Sequence, residues 1–293
     1  MEQSRHKNRK EKLVVILGAT GAGKSKLSVD LATRFSSEII NSDKIQVYQG
    51  LEITTNQITI QDRHGVPHHL LGYLRHDDTE LTPGDFRLTA ANTVSDITSR
   101  GKLPIIAGGS NSFIHALLTE HYNPKIDPFS SESRISKSLR YDCCFIWVDV
   151  SETVLFEYLV KRVDEMMDSG MFEELSGFYD PVKFNKTRFG IRKAIGVPEF
   201  DEYFKTVEKR EFDKTAYDKA VDDIKENTLR LAKRQIRKIE KLRDAGWEIK
   251  RVDATTSFKA VLMSFEGRRR REIWEMDVLE PSVKIVNRFL VKD

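Results

Sequence analysis

Gly18-Ala19-Thr20-Gly21-Ala22-Gly23-Lys24-Ser25 is the stretch of this sequence best suited to chemistry. Its spacing, G-x-x-x-x-G-K-S, is that of a loop that wraps phosphate. The glycines let backbone N–H groups turn inward, and a helix starting at the end of the loop adds partial positive charge. Lys24 brings a mobile ammonium, and the Ser25 hydroxyl can reach Mg²⁺. A second candidate is Asp43, which closes the short apolar run Ser37-Glu38-Ile39-Ile40-Asn41-Ser42. Open parallel sheets bind ligands at the C-terminal ends of their strands, so Asp43 is expected beside the loop. There it could serve as a metal ligand, a general base or a loop cap.

These residues need a scaffold, and the pattern supplies one. Leu13–Leu17 reads as a buried parallel strand and Ser25–Arg34 as the helix after it. Asp85–Arg100 has helical spacing, with Phe86, Ala90, Val94 and Ile97 on one face and Thr82 as its cap. Leu103–Ala107 is a strand, Gly108-Gly109-Ser110 a turn, and Asn111–Thr119 a helix. Residues 122–140 read as a mobile loop, and Cys143–Val148 as a further strand. From Ser151 the pattern is mostly helical, including a short helix over 198–211 and a long one over 213–244, before a strand at 247–253. Strands alternating with helices predict an α/β fold with a parallel sheet. The helix-only middle predicts an insertion, giving a core domain over 12–150 and 225–293 and a helical domain over 151–224.

Composition narrows the function. Lys and Arg number 48 against 45 Asp and Glu, a net charge of +3, so the totals do not point to a polyanion partner. Local charge differs: between Lys225 and Arg251 there are ten Lys or Arg against four Asp or Glu. On that helix Lys225 shares the apolar side with Leu229, Ala232, Ile236 and Ile239, where a lysine needs a ligand or partner more than on a solvated face. Arg268–Arg271 reads as a solvated loop. Cys143 and Cys144 are adjacent on a strand and face opposite ways, which excludes a disulfide between them and suits a reducing compartment. No cysteine spacing suits zinc, and no apolar run reaches membrane-spanning length. The basic start, Met1–Lys12, lacks the apolar stretch of a signal peptide. A cytoplasmic protein is expected, or a plastid one if a presequence has been removed.

Other candidates test the kind of phosphate chemistry. A guanine-reading Asn-Lys-x-Asp is missing: Asn185-Lys186 is followed by Thr187-Arg188. Asp149, after Phe145–Val148, fits a hydrolase's metal-side carboxylate only loosely. His68 and His69 face opposite directions on an extended segment, so they read as one buried, hydrogen-bonded imidazole and one exposed rather than a metal pair. On these features a small-molecule kinase stays open.

The motifs taken together resemble one family, the isopentenyltransferases that add a dimethylallyl group to N6 of adenine. The matching stretches are Gly18–Ser25, Asn41–Leu51, Gly65–Leu71, Gly101–Pro104, Gly108–Phe113, Arg192–Phe200, Asn227-Thr228 and Leu231–Gln235, in the family's order. Gly108-Gly109-Ser110-Asn111-Ser112-Phe113 and Arg192–Phe200 look like the plant branch that acts on free adenylates and makes cytokinin precursors. The tRNA-modifying branch usually has Gly-Gly-Thr-Gly at the first place. Its eukaryotic members often carry a C-terminal Cys/His finger, and no cysteine follows Cys144 here.

The resemblance implies a P-loop NTPase-like sheet flanked by helices. It makes Gly18–Ser25 the site of the donor diphosphate, with Ser25 on Mg²⁺, Lys24 on the diphosphate, Thr20 beside the reacting groups and Asp43 as the base. Ser110, Asn111, Lys193, Lys225, Lys233 and Arg234 become candidates for nucleotide and phosphate contacts, with Lys233 about 80° around the helix from Lys225. The implied substrates are dimethylallyl diphosphate and ATP, ADP or AMP, with AMP the poorest. A monomer acting on neither tRNA nor membrane is expected. The competing readings are a tRNA dimethylallyltransferase and a non-catalytic nucleotide- or RNA-binding module.

Overall fold

The computed structural model describes residues 10–75, 80–181, 189–207 and 213–292. Leu13–Leu17 is apolar at every position because both faces of the strand are covered. In β1 (Lys12–Leu17), Val14 and Ile16 enter one apolar cluster while Leu13, Val15 and Leu17 enter another on the opposite face. β2 (Ser37–Asn41), β3 (His68–His69), β4 (Leu103–Ala107), β5 (Asp142–Asp149) and β6 (Ile249–Asp253) complete the sheet. Among the described residues its order is β3-β2-β4-β1-β5-β6, and every pairing is parallel. The expected parallel α/β sheet is the observed one.

Helix α1 (Lys24–Arg34) covers one face, with α4 (Glu152–Asp168), α8 (Thr255–Leu262), α9 (Gly267–Trp274) and α10 (Glu280–Val291). On the other face lie α2 (Pro83–Ser99), α3 (Asn111–Leu118) and the end of α7 (Lys214–Asp244). The expected cap of α2 is present: Thr82 and Asp85 form a reciprocal capping box. Phe86, Ala90, Val94 and Ile97 are its buried stripe. Glu38 of β2 is buried and accepts hydrogen bonds from Arg100, Lys102 and His69, which ties β3 and the α2–β4 turn to the sheet.

A third apolar cluster gathers α5 (Met171–Phe178), α6 (Val197–Val207), the start of α7 and the loop residues Val47, Tyr48 and Leu51. The helix expected over 198–211 is observed as α6, and positions 208–211 fall outside the described residues. The loop between Asp180 and Gly190 also falls largely outside them. Helix α7 runs unbroken past Lys225, so its first half packs in this cluster and its second half on the sheet.

Two expectations are corrected. Arg268–Arg271 is not a loop but the body of α9. An Arg268–Glu272 ion pair one turn apart supports it, Arg269 lies over Phe265, and buried Trp274 anchors its end. His69 is not an exposed ring, because buried Glu38 draws it in at 2.7 Å; both histidines are half-buried.

Candidate active site

In a parallel sheet the loops after β1, β2 and β4 emerge at the same edge, and here they meet the helical part of the chain. A cavity of about 370 Å³ lies between them. Thr20, Gly21, Gly23, Lys24 and Ser25 line it from the first loop, and Asp43 from the second. Its wall then turns apolar through Val163, Met166 and Met171 to Ile195, Ile224 and Leu231.

The loop's shape is set by what presses on it. Gly21 has φ +76°, and a Cβ there would lie 2.5 Å from Leu159 Cδ2. Gly23 has φ +90°, and a Cβ there would lie 2.8 Å from Trp274 Cη2. Both positions therefore require glycine on conformational and on steric grounds. Ala19 and Ala22 turn their methyls into the core. Lys24 Nζ folds back to donate to Ala19 O at 2.7 Å. Burial draws its pKa down to about 8, against the pull of Asp43, and Arg162 pushes the same way as burial.

Asp43 is held by its neighbours. Its N–H donates to Asn41 Oδ1 at 3.0 Å, and its Oδ1 accepts from the Ile45 N–H at 3.0 Å. Asn41 is itself anchored, donating to Leu70 O at 2.9 Å. Ser110 Oγ accepts from the Lys44 N–H at 2.9 Å, so it shapes the turn after Asp43. Asn111 is buried behind the site and donates to Gln235 O at 3.3 Å.

Two residues at the cavity carried no assigned role in the sequence reading. Gln235 is buried on α7; its Oε1 accepts from the Thr20 N–H at 2.7 Å and its Nε2 donates to Gly109 O at 3.0 Å. One amide thereby spans the first and third loops. Arg162, on α4, donates through a guanidinium nitrogen to Thr20 Oγ1 at 3.2 Å and lines the cavity. Its Nε is buried and has no partner among the described residues. Burial lowers its pKa from the ordinary arginine value, with Tyr158 and Glu165 opposing. The signal for both was a polar residue on a buried stripe: Gln235 beside Ala232 and Ile239, Arg162 beside Leu159 and Val163. The helical-wheel criterion that singles out Lys225 singles them out too.

The remaining basic candidates separate. Lys193 lines the cavity and pairs with Glu80 at 2.7 Å. Lys225 pairs with Asp164 at 2.6 Å, and Lys233 lies 3.5 Å from Glu152 and over the Phe156 ring; neither is among the cavity-lining residues. Arg234 and Lys44 do line the cavity. They stand close enough to Lys238, together with Lys241, to lower its pKa, although burial is the larger cause and Asp127 opposes. Elsewhere, Asp149 is engaged by Arg251 at 2.6 Å and is not among the lining residues. Lining His68 donates through Nδ1 to Val66 O, 2.8 Å away.

Among the described residues no cluster of three or more His, Cys, Asp or Glu could cage a metal. The Ser25 hydroxyl lines the cavity at the start of α1 and is the oxygen donor the loop offers a cation, with Asp43 left to the acceptor side. That donor set fits Mg²⁺, which takes one or two protein oxygens and completes its shell with substrate phosphate and water.

A phosphate loop after β1, a fixed carboxylate after β2, and an apolar wall lined with cations define an α/β enzyme that handles a phosphorylated, partly apolar substrate. The IPP transferase family model matches residues 46–134 and 120–241. The chain is 72% identical to Adenylate isopentenyltransferase 1, chloroplastic, of Arabidopsis thaliana, over 100% of this chain and 85% of that one. It is 60% identical to Adenylate isopentenyltransferase 8, chloroplastic, of the same plant, over 100% and 88%. The crystal structure of a eukaryotic dimethylallyltransferase acting on tRNA superposes with a TM-score of 0.77 at 24% identity, over 96% of this chain and 79% of that one. The chain belongs to the isopentenyltransferase family, in its adenylate branch, and is a prenyltransferase.

Proposed function

We infer that this enzyme transfers a dimethylallyl group from dimethylallyl diphosphate to the N6 amine of a free adenine nucleotide. The observation that carries the reading is Lys24, Arg162 and Asp43 lining one cavity whose other wall is apolar. The N6 lone pair, delocalised into the ring, attacks C1 of the prenyl chain. The C1–O bond breaks, and the electron pair leaves with the diphosphate. Lys24, Arg162 and the loop N–H groups oppose the charge that grows on the leaving oxygen. Asp43 takes the N6 proton as the C–N bond forms, which contributes about 10²–10⁴-fold in such reactions. Arg162 also fixes the Thr20 hydroxyl, so Thr20 reaches the reacting groups in one rotamer. Mg²⁺, when bound at Ser25, neutralises diphosphate charge.

ADP and ATP are the better acceptors in this reading, with AMP poorer. Support comes from Lys44 and Arg234, which line the cavity and both stand near Lys238. Cations so placed are suited to a polyphosphate tail. Lys193 faces the cavity and can exchange Glu80 for a phosphate. The enzyme is further proposed to act as a monomer and in the plastid, the compartment in the names of both plant relatives. No helix among the described residues is long and apolar enough to cross a membrane.

The test offers labelled dimethylallyl diphosphate to AMP, ADP, ATP and unmodified tRNA separately. Label on ADP and ATP supports the reading. Label on tRNA alone would favour a tRNA dimethylallyltransferase, and label on none would favour a binding module.

A further inference from the structure

Trp274 lies beyond residue 241, where the family match ends, yet it packs on the phosphate loop. Its indole fills the space that a side chain on Gly23 would take, and Phe258 closes the same spot from 3.7 Å. Gly23 is the last loop residue before α1, so whatever holds it sets where the first helical N–H groups point. The ring is buried, but its Nε1 is not spent on a core carbonyl: it donates to Asp30 Oδ2 at 2.6 Å. The same carboxylate oxygen accepts from Lys26 Nζ at 2.9 Å, and that ammonium sits 5.0 Å above the indole. Lys26 lines the cavity. Indole, carboxylate and ammonium therefore form a closed triangle beside the loop exit.

The surrounding chain keeps the triangle in place. Arg34, at the end of α1, pairs with Glu275 at 2.7 Å, one residue after the indole. Glu275–Leu279 is a π-helical turn, a form frequent at functional sites. Its wider winding lets Trp274 reach α1 while Val278 and Leu279 still enter the sheet core. Tyr158, which lines the cavity, packs edge-on against Phe258 with ring centres 4.8 Å apart, so the brace continues to the site wall.

We propose that Trp274 is a positioning residue for the prenyl donor: it holds the phosphate loop at Gly23, and its bond to Asp30 keeps the indole in that place. This rests on the loop being the donor site. Lys44 and Arg234, the cations proposed for the acceptor, stand on the loop after β2 and on α7 and are no part of this triangle.

The experiment uses the full chain and inorganic pyrophosphate with Mg²⁺ as probe. Trp147 and Trp247, the other two tryptophans, pack in the cluster on the opposite sheet face, so a change of emission on adding pyrophosphate reports Trp274. That change is expected in the wild type and lost in Trp274→Phe. Trp274→Ala should raise KM for dimethylallyl diphosphate about tenfold with KM for ADP within about twofold, while Trp274→Phe keeps the donor KM within about threefold. Asp30→Asn gives the same donor-only direction at smaller size, and replaces Trp274→Ala if that variant does not fold by circular dichroism. Emission changes that persist in Trp274→Phe overturn the proposal. So do folded variants whose donor KM is unchanged, or whose two KM values rise together. A wild type that responds to pyrophosphate yet prenylates no nucleotide would sink the functional reading and, with it, the donor role of Trp274, leaving only a diphosphate-binding loop that Trp274 braces.

Discussion

At the residue scale the two charges that matter most are fixed before any substrate arrives. Asp43 is locked between Asn41 and the Ile45 N–H, so Asp43→Asn keeps the hydrogen-bonding frame and removes only the base. Its turnover should fall about 10²–10⁴-fold with nucleotide affinity by calorimetry unchanged; near-normal turnover would end the general-base assignment. Lys24, with a pKa drawn down to about 8, must be charged to hold the diphosphate. The ammonium is present below that pH and lost above it, so kcat/KM for the donor, which reports the free enzyme, should fall as pH rises through about 8. The prenyl diphosphate does not titrate there. In Lys24→Arg that alkaline limb should vanish from whatever activity remains, and a pH profile like the wild type's would mean another group sets it. Arg162→Ala should lower kcat by about 10²–10³-fold, the usual cost of losing one preorganised charge-stabilising donor. A change in nucleotide KM alone would contradict that role.

At the element scale, α7 joins parts of the chain that the sheet leaves separate. β4 lies between β1 and β2, so the loops after β1 and β4 are adjacent, and Gln235 bridges them. Gln235→Ala would leave the half-buried Thr20 N–H and the buried Gly109 C=O without this partner. Each such loss costs about 1–3 kcal/mol, so urea unfolding should show a clear drop in stability, and the loosened loop a higher donor KM. Stability and KM both unchanged would mean that the bridge is incidental. The capping box of α2 offers a contrast, being remote from the cavity: Thr82→Ala should cost about 1 kcal/mol and leave both KM values alone.

At the scale of the whole molecule, function depends on how three bodies of structure enclose one cavity. The sheet edge supplies Lys24 and Asp43, α4 supplies Arg162, and the helical cluster supplies the apolar wall through Met171, Ile195 and Ile224. Charge divides too, with Lys24 and Arg162 at the loop and a second cationic group of Lys44 and Arg234 near Lys238. If the second group reads the acceptor's tail, each charge-assisted contact adds about 1.5–3 kcal/mol. Lys44→Ala and Arg234→Ala should then narrow the ADP/AMP ratio of kcat/KM by about tenfold, while Lys225→Ala and Lys233→Ala, whose ammoniums have carboxylate neighbours, change it little. A reversed pattern would return the tail to Lys225 and Lys233.

What the sequence determined by itself was everything encoded by local spacing. The phosphate loop, the strand-ending position of Asp43, the cap and stripe of α2 and the alternation of strand and helix are properties of neighbouring residues, so they were legible without a fold. The family followed from motifs in a fixed order along the chain. Tertiary structure alone decided which distant groups meet. Arg162 reaches Thr20 across 142 positions and Gln235 reaches it across 215, and no local pattern encodes such separations. Charge was the least legible: Lys225 looked like a ligand-seeking cation on a helical wheel and Lys233 became a candidate through the family resemblance, and the carboxylates beside both came from α4. The arginines of α9 looked like a solvated loop until Trp274 proved to be buried against Gly23. A side chain's identity is written in the sequence, but the partner that satisfies its charge or fills its space is set by packing.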